Sequence, residues 1–130
     1  MPTFKTEMLI RDKSLKFLQS EGIEVDHAQV SDVDMPQVLR TRLLETATDA
    51  ALQERPLELL QEMADIYEVM VVLAVQNGLS EEKLQEKIKE RREELGSFSE
   101  GLFSYSVTVP EGHNAEPYYR EHPEKFPEVK

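Results

Sequence analysis

Residues 56–76, PLELLQEMADIYEVMVVLAVQ, limit more than any other segment what this chain can fold into. Apolar residues surround nearly the whole circumference of this helical segment, so it needs cover on more than one side. Glu62 and Asp65 nevertheless share one face with Val69 and Leu73 at about 100° per residue. The fold must therefore cover this helix and also accommodate two carboxylates within an apolar stripe.

The preceding segment repeats this arrangement of carboxylates on an apolar face. A helix is expected from about residue 36 to 53, because Pro56 disfavours helix at the residue before it. Glu45 and Asp49 lie one turn apart on a face that also carries Val38. Since only a few residues connect the two helices, we expect an antiparallel hairpin that brings the two pairs of carboxylates together.

Converging carboxylates repel one another in a partly buried site at neutral pH, so another group must offset the repulsion. The candidates are protonation, a basic side chain, or a hard cation with oxygen ligands such as Mg²⁺ or Mn²⁺. Zinc fits poorly, because the chain has no cysteine and the hairpin has no histidine. The alternative to a site is a solvated acidic face, which is the commoner origin of acidic residues at helical spacing.

The other segments predict a mostly α chain of four helices with a small β element. Further helices are expected over residues 9–20 and 80–96, the second capped by the serine at its start. Residues 102–109, LFSYSVTV, are typical of a strand, and residues 23–30 of a short strand or an extended arm. Residues 110–130 are rich in proline and charge, which predicts an arm or a disordered tail.

Composition excludes several classes of partner and location. The chain of 130 residues suits one domain, and its net charge of −11 argues against binding a nucleic-acid polymer or an anionic membrane. The longest apolar run, residues 69–75, is far short of a membrane span. The opening MPTFKTEMLIRDK has no sustained apolar segment, so no signal peptide is expected. Without cysteine, a reducing cytoplasm is the expected location.

Four segments, in order, resemble the all-α nucleoside triphosphate pyrophosphohydrolases, a MazG-like group that includes phosphoribosyl-ATP pyrophosphohydrolase. ETATD at residues 45–49 and EMAD at residues 62–65 resemble the family pattern of EExxE, a spacer and ExxD. MLIRDKSLKFL at 8–18 resembles the LVRDKIPEFI-type opening of one branch, and KERREELGSF at 89–98 resembles its KKREERGGF-type segment. The resemblance covers roughly residues 8–105.

The resemblance implies that residues 1–109 form a four-helix bundle-type pyrophosphohydrolase domain, completed by other copies in a homodimer or homotetramer. It implies Mg²⁺, with Mn²⁺ as an alternative, between the second and third helices. It also implies a nucleotide substrate, a nucleoside triphosphate hydrolysed between its α and β phosphorus atoms to a monophosphate and pyrophosphate. The positions that match the metal-binding motifs are Glu45, Asp49, Glu62 and Asp65. The basic positions matched to phosphate or ribose oxygens are Arg11, Lys13, Lys89 and Arg92.

Three positions depart from the family pattern. Thr46 stands where the second glutamate of EExxE would be, and offers a neutral hydroxyl in place of a carboxylate. Asp49 is one methylene shorter than the family's glutamate, and Leu95 replaces an arginine. A Mg²⁺-dependent nucleotide pyrophosphohydrolase is the leading interpretation. The alternatives are the phosphoribosyl-ATP step of histidine synthesis, and a non-catalytic member that binds nucleotide or serves only as a helical oligomerisation module.

Overall fold

The computed structural model describes residues 1–129 of the chain. These residues contain five α-helices and no β-strand. Residue contacts divide the chain into two compact units, Met1–Glu94 and Leu95–Lys130. A mostly α chain, as predicted, is confirmed. The helices are α1 (Asp12–Ser20), α2 (Met35–Leu52), α3 (Pro56–Gln76), α4 (Glu81–Leu95) and α5 (Glu116–Arg120).

Local signals end these helices where the sequence indicates. Gly78 has a φ of 75°, and beside it the amide of Leu79 donates to the carbonyl of Ala74 at 2.9 Å, which closes the end of α3. The Ser80 hydroxyl accepts a hydrogen bond from the amide of Lys83 at 3.2 Å, as expected of an N-cap residue. The predicted bounds of α2, α3 and α4 are thus confirmed to within one or two residues, whereas α1 begins three residues later than expected.

A helical hairpin of α2 and α3 is the packed centre of the first unit. These two helices lie side by side, and only residues 53–55 connect them, which makes them antiparallel neighbours. Leu39 and Val69 are buried between them, and Thr46 is fully buried at 0% exposure. No other pair of helices among the described residues has its backbones packed together in this way, so one chain alone forms a hairpin and not a four-helix bundle.

Side-chain hydrogen bonds join α4 to the hairpin where a backbone contact is lacking. The Tyr67 hydroxyl donates to Glu81 at 2.9 Å and accepts from the side-chain amide of Gln85 at 3.0 Å. Tyr67 is half-buried, so its hydroxyl needs such partners. The polar network holds the start of α4 at α3, while Leu84 and Ile88 farther along α4 remain only half-buried.

The predicted small β element is wrong for the single chain. Residues 102–109 contain no strand and are exposed except at the last position, and residues 23–30 are irregular. A strand needs a neighbour to pair with its amides and carbonyls. No strand occurs elsewhere in residues 1–129, so this alternating sequence has nothing to pair with.

The second unit contains a short helix that its composition did not predict. Pro117 lies in the first turn of α5, where the missing amide hydrogen costs nothing. Tyr118, Tyr119 and Phe126 form a cluster of rings with centroids 5.2–5.6 Å apart. Arg120 donates to Glu116 and Glu128, and these hydrogen bonds raise its pKa. An arm or tail beginning at residue 110 stays a prediction, although the contacts place the division at residues 94 and 95.

Within residues 1–129, none of the helices combines the length and the apolar content that a membrane crossing requires.

Candidate functional site

The α2 carboxylates lie beside the buried seam of the hairpin and not within it. Glu45 is half-buried, and its carboxylate lies 3.8 Å from the Arg42 guanidinium one turn earlier. Asp49 is exposed. Thr46, between them in sequence, is the residue that α2 turns fully inward. The inward position of this motif is thus occupied by a hydroxyl, and the two acids flank it.

Thr46 satisfies its own hydroxyl within α2. Its Oγ1 donates to the carbonyl of Arg42 at 2.8 Å and approaches that of Leu43 at 3.1 Å. A serine or threonine side chain commonly makes this bond inside a helix. The hydroxyl hydrogen is therefore committed to the backbone, and because the residue is fully buried, its oxygen is not accessible to a cation in the single chain.

The α3 carboxylates are better placed than those of α2. Glu62 and Asp65 are both half-buried, and their spacing of three residues puts them on one face of α3. Glu68, a further turn along, is exposed. Together, Glu62 and Asp65 offer oxygen ligands at a partly covered position, which is the donor chemistry that Mg²⁺ prefers.

Arg11 provides the contact that the sequence did not reveal. Its Nη2 donates to Asp65 Oδ1 at 2.6 Å, across 54 residues of sequence. Arg11 is the N-cap residue of α1, so the contact brings the start of the RDK segment onto the EMAD segment of α3. Carboxylate repulsion can be offset by protonation, by a basic side chain or by a hard cation, and at Asp65 the structure shows a basic side chain. It also shows that this carboxylate is accessible to a cation.

A shallow cleft of about 370 Å³ adjoins this ion pair. Two basic residues, Arg11 and Lys13, line it together with Glu68 of α3. Asp12 and Ser14 complete its lining. The lining therefore carries two cationic and two carboxylate side chains, and an anionic group would depend on Arg11 and Lys13 for its binding.

The α4 basic residues are not brought to this cleft. Lys89 and Arg92 are exposed, and neither forms an ion pair with any residue of the described range 1–129. Nearby, a hydrogen bond from Lys87 to Glu90 raises the pKa of that lysine. A phosphate-binding role for Lys89 and Arg92 stays a prediction.

The carboxylates of the hairpin are the groups that could hold a metal ion. The described part of the chain contains no group of three or more acidic or histidine side chains close enough together to hold a metal. Mg²⁺ does not need such a cage, because it is commonly held by one or two carboxylates together with water and substrate phosphates. Asp65 and Glu62 fit that pattern. Asp49 and Glu45 stay predicted ligands, because the single chain does not gather them into one group with Asp65 and Glu62.

Comparison with known proteins gives no relative for this chain. No protein-family model matches it, and neither does any curated protein or solved structure.

Proposed function

We propose that this protein is a Mg²⁺-dependent nucleotide pyrophosphohydrolase whose site lies at the carboxylates of α3. The observation that carries the proposal is the ion pair between Arg11 and Asp65 at 2.6 Å. It joins two segments, 8–18 and 62–65, that each resemble a motif of the same enzyme family although 54 positions separate the paired residues. Such an enzyme needs carboxylates for the metal beside cations for the phosphates, and this contact supplies both.

The reaction requires neutralisation of the phosphate charge and orientation of the attacking water more than it requires a covalent nucleophile. A water oxygen bonds to one of the phosphorus atoms beside the α–β bridging oxygen, the bond to that oxygen breaks, and the water proton passes to solvent. Bound Mg²⁺ would neutralise phosphate charge and help to orient the water. Asp65 and Glu62 would hold the metal, with Glu45 and Asp49 as the α2 contribution.

The basic residues have a separate task in this proposal. The triphosphate and its leaving pyrophosphate carry several negative charges, and lysine and arginine bind such groups through charge-assisted hydrogen bonds. Arg11 and Lys13 already line the cleft beside Asp65. Lys89 and Arg92 of α4 would complete the set only after α4 is held closer to a hairpin, which a neighbouring copy would achieve.

A second copy of the chain is proposed to complete the fold. Leu39 and Val69 are the only buried apolar residues of the described chain, too few to hold a unit of this length together. Much of the hairpin's apolar surface is exposed, with Leu57 at 75% exposure. Burial of such side chains is the main favourable term in association. The other large exposed apolar side chains of the hairpin and its end are Leu44, Leu52, Leu60, Met63, Val75 and Leu79.

The purified protein is expected to be a homodimer or homotetramer at micromolar concentration. Leu57→Glu should shift it towards monomer, because a charge would replace apolar surface in the interface. Val33→Glu is the matched control, since Val33 is exposed outside the hairpin. Light scattering coupled to size-exclusion chromatography measures both. A monodisperse wild-type monomer would contradict the proposed assembly.

Thr46 favours a second candidate function. It occupies the fully inward position of α2, where the pattern of the family that it resembles has a glutamate, so α2 contributes no carboxylate there. In this second function, a chain with a weakened metal site binds nucleotide, or serves as a helical oligomerisation module, without hydrolysing a substrate. Phosphoribosyl-ATP remains the alternative substrate within the enzymatic proposal.

Pyrophosphate release from a panel of nucleotides separates these functions. The panel contains the common nucleoside triphosphates, their deoxy forms and phosphoribosyl-ATP, each with Mg²⁺ and with excess chelator. We expect Mg²⁺-dependent release from at least one triphosphate, and its loss in Asp65→Asn but not in Asp26→Asn, a matched change at an exposed residue outside the helices. Release from phosphoribosyl-ATP alone would select the alternative enzyme. If no compound yields pyrophosphate, the non-catalytic function is the one supported.

A further inference from the structure

The ion pair of Arg11 with Asp65 differs from every other ion pair within residues 1–129. The others join residues no more than eight positions apart, whereas this one spans 54. It is also one of the shortest, at 2.6 Å. Local pairs follow from helical spacing, but a pair between distant segments depends on the tertiary structure.

The Arg11 guanidinium is hydrogen-bonded to Asp65, the carboxylate that the proposed function assigns to the metal. Arg11 Nη2 donates to Asp65 Oδ1, so a positive charge already lies beside the carboxylate that would bind the metal, and it repels an incoming cation. The pair is accessible, with the Arg11 side chain 54% exposed and that of Asp65 38% exposed. An exposed ion pair is weak and can be exchanged for a stronger partner.

We infer that Arg11 acts as a built-in counter-ion that competes with the divalent cation for Asp65 and that metal binding releases it. This inference rests on the proposed metal site. Once released, the guanidinium remains beside the cleft that it lines with Lys13, where an anionic phosphate group is its natural partner. Arg11 is thus a positioning residue for Asp65 in the free protein and a phosphate ligand in the loaded one.

The exchange couples the two ligands of the site. A metal that takes Asp65 frees Arg11 for phosphate, and a phosphate that takes Arg11 frees Asp65 for metal. Coupling between binding sites is reciprocal by thermodynamic necessity, so each ligand should tighten the other's binding by the same factor. Neither ligand alone would bind tightly, which favours the metal–nucleotide complex over free metal or free phosphate.

The metal arm of the test is a calorimetric Mn²⁺ titration of the nucleotide-free protein at low salt. Removing the competitor in Arg11→Gln should tighten Mn²⁺ binding about twofold to fivefold, the range of an exposed ion pair. Arg11→Lys should change it less, since the charge is kept. Arg55→Gln is the matched control, because Arg55 pairs with Glu58 at 3.7 Å on the same helix as Asp65. The gain should shrink at high salt, which screens exposed charges.

The phosphate arm uses inorganic pyrophosphate without metal. Asp65→Asn should bind it more tightly than wild type, because Arg11 is freed. The same gain should be absent from the double variant Arg11→Gln with Asp65→Asn. Glu68→Gln is the matched control: it removes one negative charge from the same cleft without touching Arg11. An equal gain in Glu68→Gln would show a general charge effect and overturn the inference.

The outcomes separate this inference from the proposed function. If wild type binds Mn²⁺ and Arg11→Gln binds it equally or more weakly, the counter-ion role is wrong and the metal site stands. If neither wild type nor any variant binds Mn²⁺, both are wrong. Tighter Mn²⁺ binding in Arg11→Gln alone, together with the pyrophosphate gain confined to Asp65→Asn, establishes the exchange.

Discussion

Replacing Thr46 with glutamate should lower the free energy of unfolding of the metal-free protein by ~3 kcal/mol or more. Thr46 is fully buried between α2 and α3, so the longer side chain must force the helices apart. It also brings a charge into a seam formed with Leu39 and Val69. Helix propensity alone would predict a loss of only a few tenths of a kcal/mol. Urea unfolding with chelator present measures the difference.

Thr48→Glu is the matched control for this change. Thr48 lies on the same helix, and its hydroxyl makes the same bond, to the carbonyl of Leu44 at 2.8 Å, but the residue is exposed. We expect it to cost less than ~1 kcal/mol. If position 46 corresponds to a metal-binding glutamate of the pyrophosphohydrolases that the chain resembles, Mg²⁺ should recover part of the lost stability in Thr46→Glu alone and raise its pyrophosphate release. Equal losses in both variants would mean that Thr46 is not buried in solution.

Adding Mg²⁺ or Mn²⁺ should raise the melting temperature of the wild-type protein, and Asp65→Asn should abolish that rise. A ligand that binds only the native state stabilises it by about 2.7 kcal/mol at a hundredfold excess over its Kd. In a chain of 130 residues that corresponds to roughly 10 °C. Differential scanning fluorimetry with and without chelator measures the shift.

The same measurement without metal tests the role of Arg11 in stability. A carboxylate with no partner would be destabilising, so its removal would stabilise the protein. Because Asp65 is instead paired with Arg11, Asp65→Asn should cost up to about 1 kcal/mol in the metal-free state. Asp26→Asn, at an exposed residue outside the helices, should leave both the metal-free stability and the metal response unchanged. A metal response retained by Asp65→Asn would contradict its role as a ligand.

The helices were predictable because their boundaries depend on neighbours in sequence. Pro56 begins α3 and Gly78 ends it, and Ser80 caps the next helix, through contacts that span a few residues. The hairpin was predictable for a similar reason, since a short connection leaves adjacent helices little choice but to pack antiparallel. The strand at residues 102–109 was not, because its amides and carbonyls need a partner that no local pattern specifies.

The sequence by itself determined which helices form and which of them carry the acidic residues, since periodicity and caps act within a few turns. Only the tertiary structure decided that Thr46 turns fully inward while Asp49 stays exposed, because the line of contact between α2 and α3 selects among residues that share a broad face. The tertiary structure alone also decided that Arg11 pairs with Asp65. A pairing between oppositely charged residues 54 positions apart depends on where α1 begins relative to α3, and neither segment encodes that position alone.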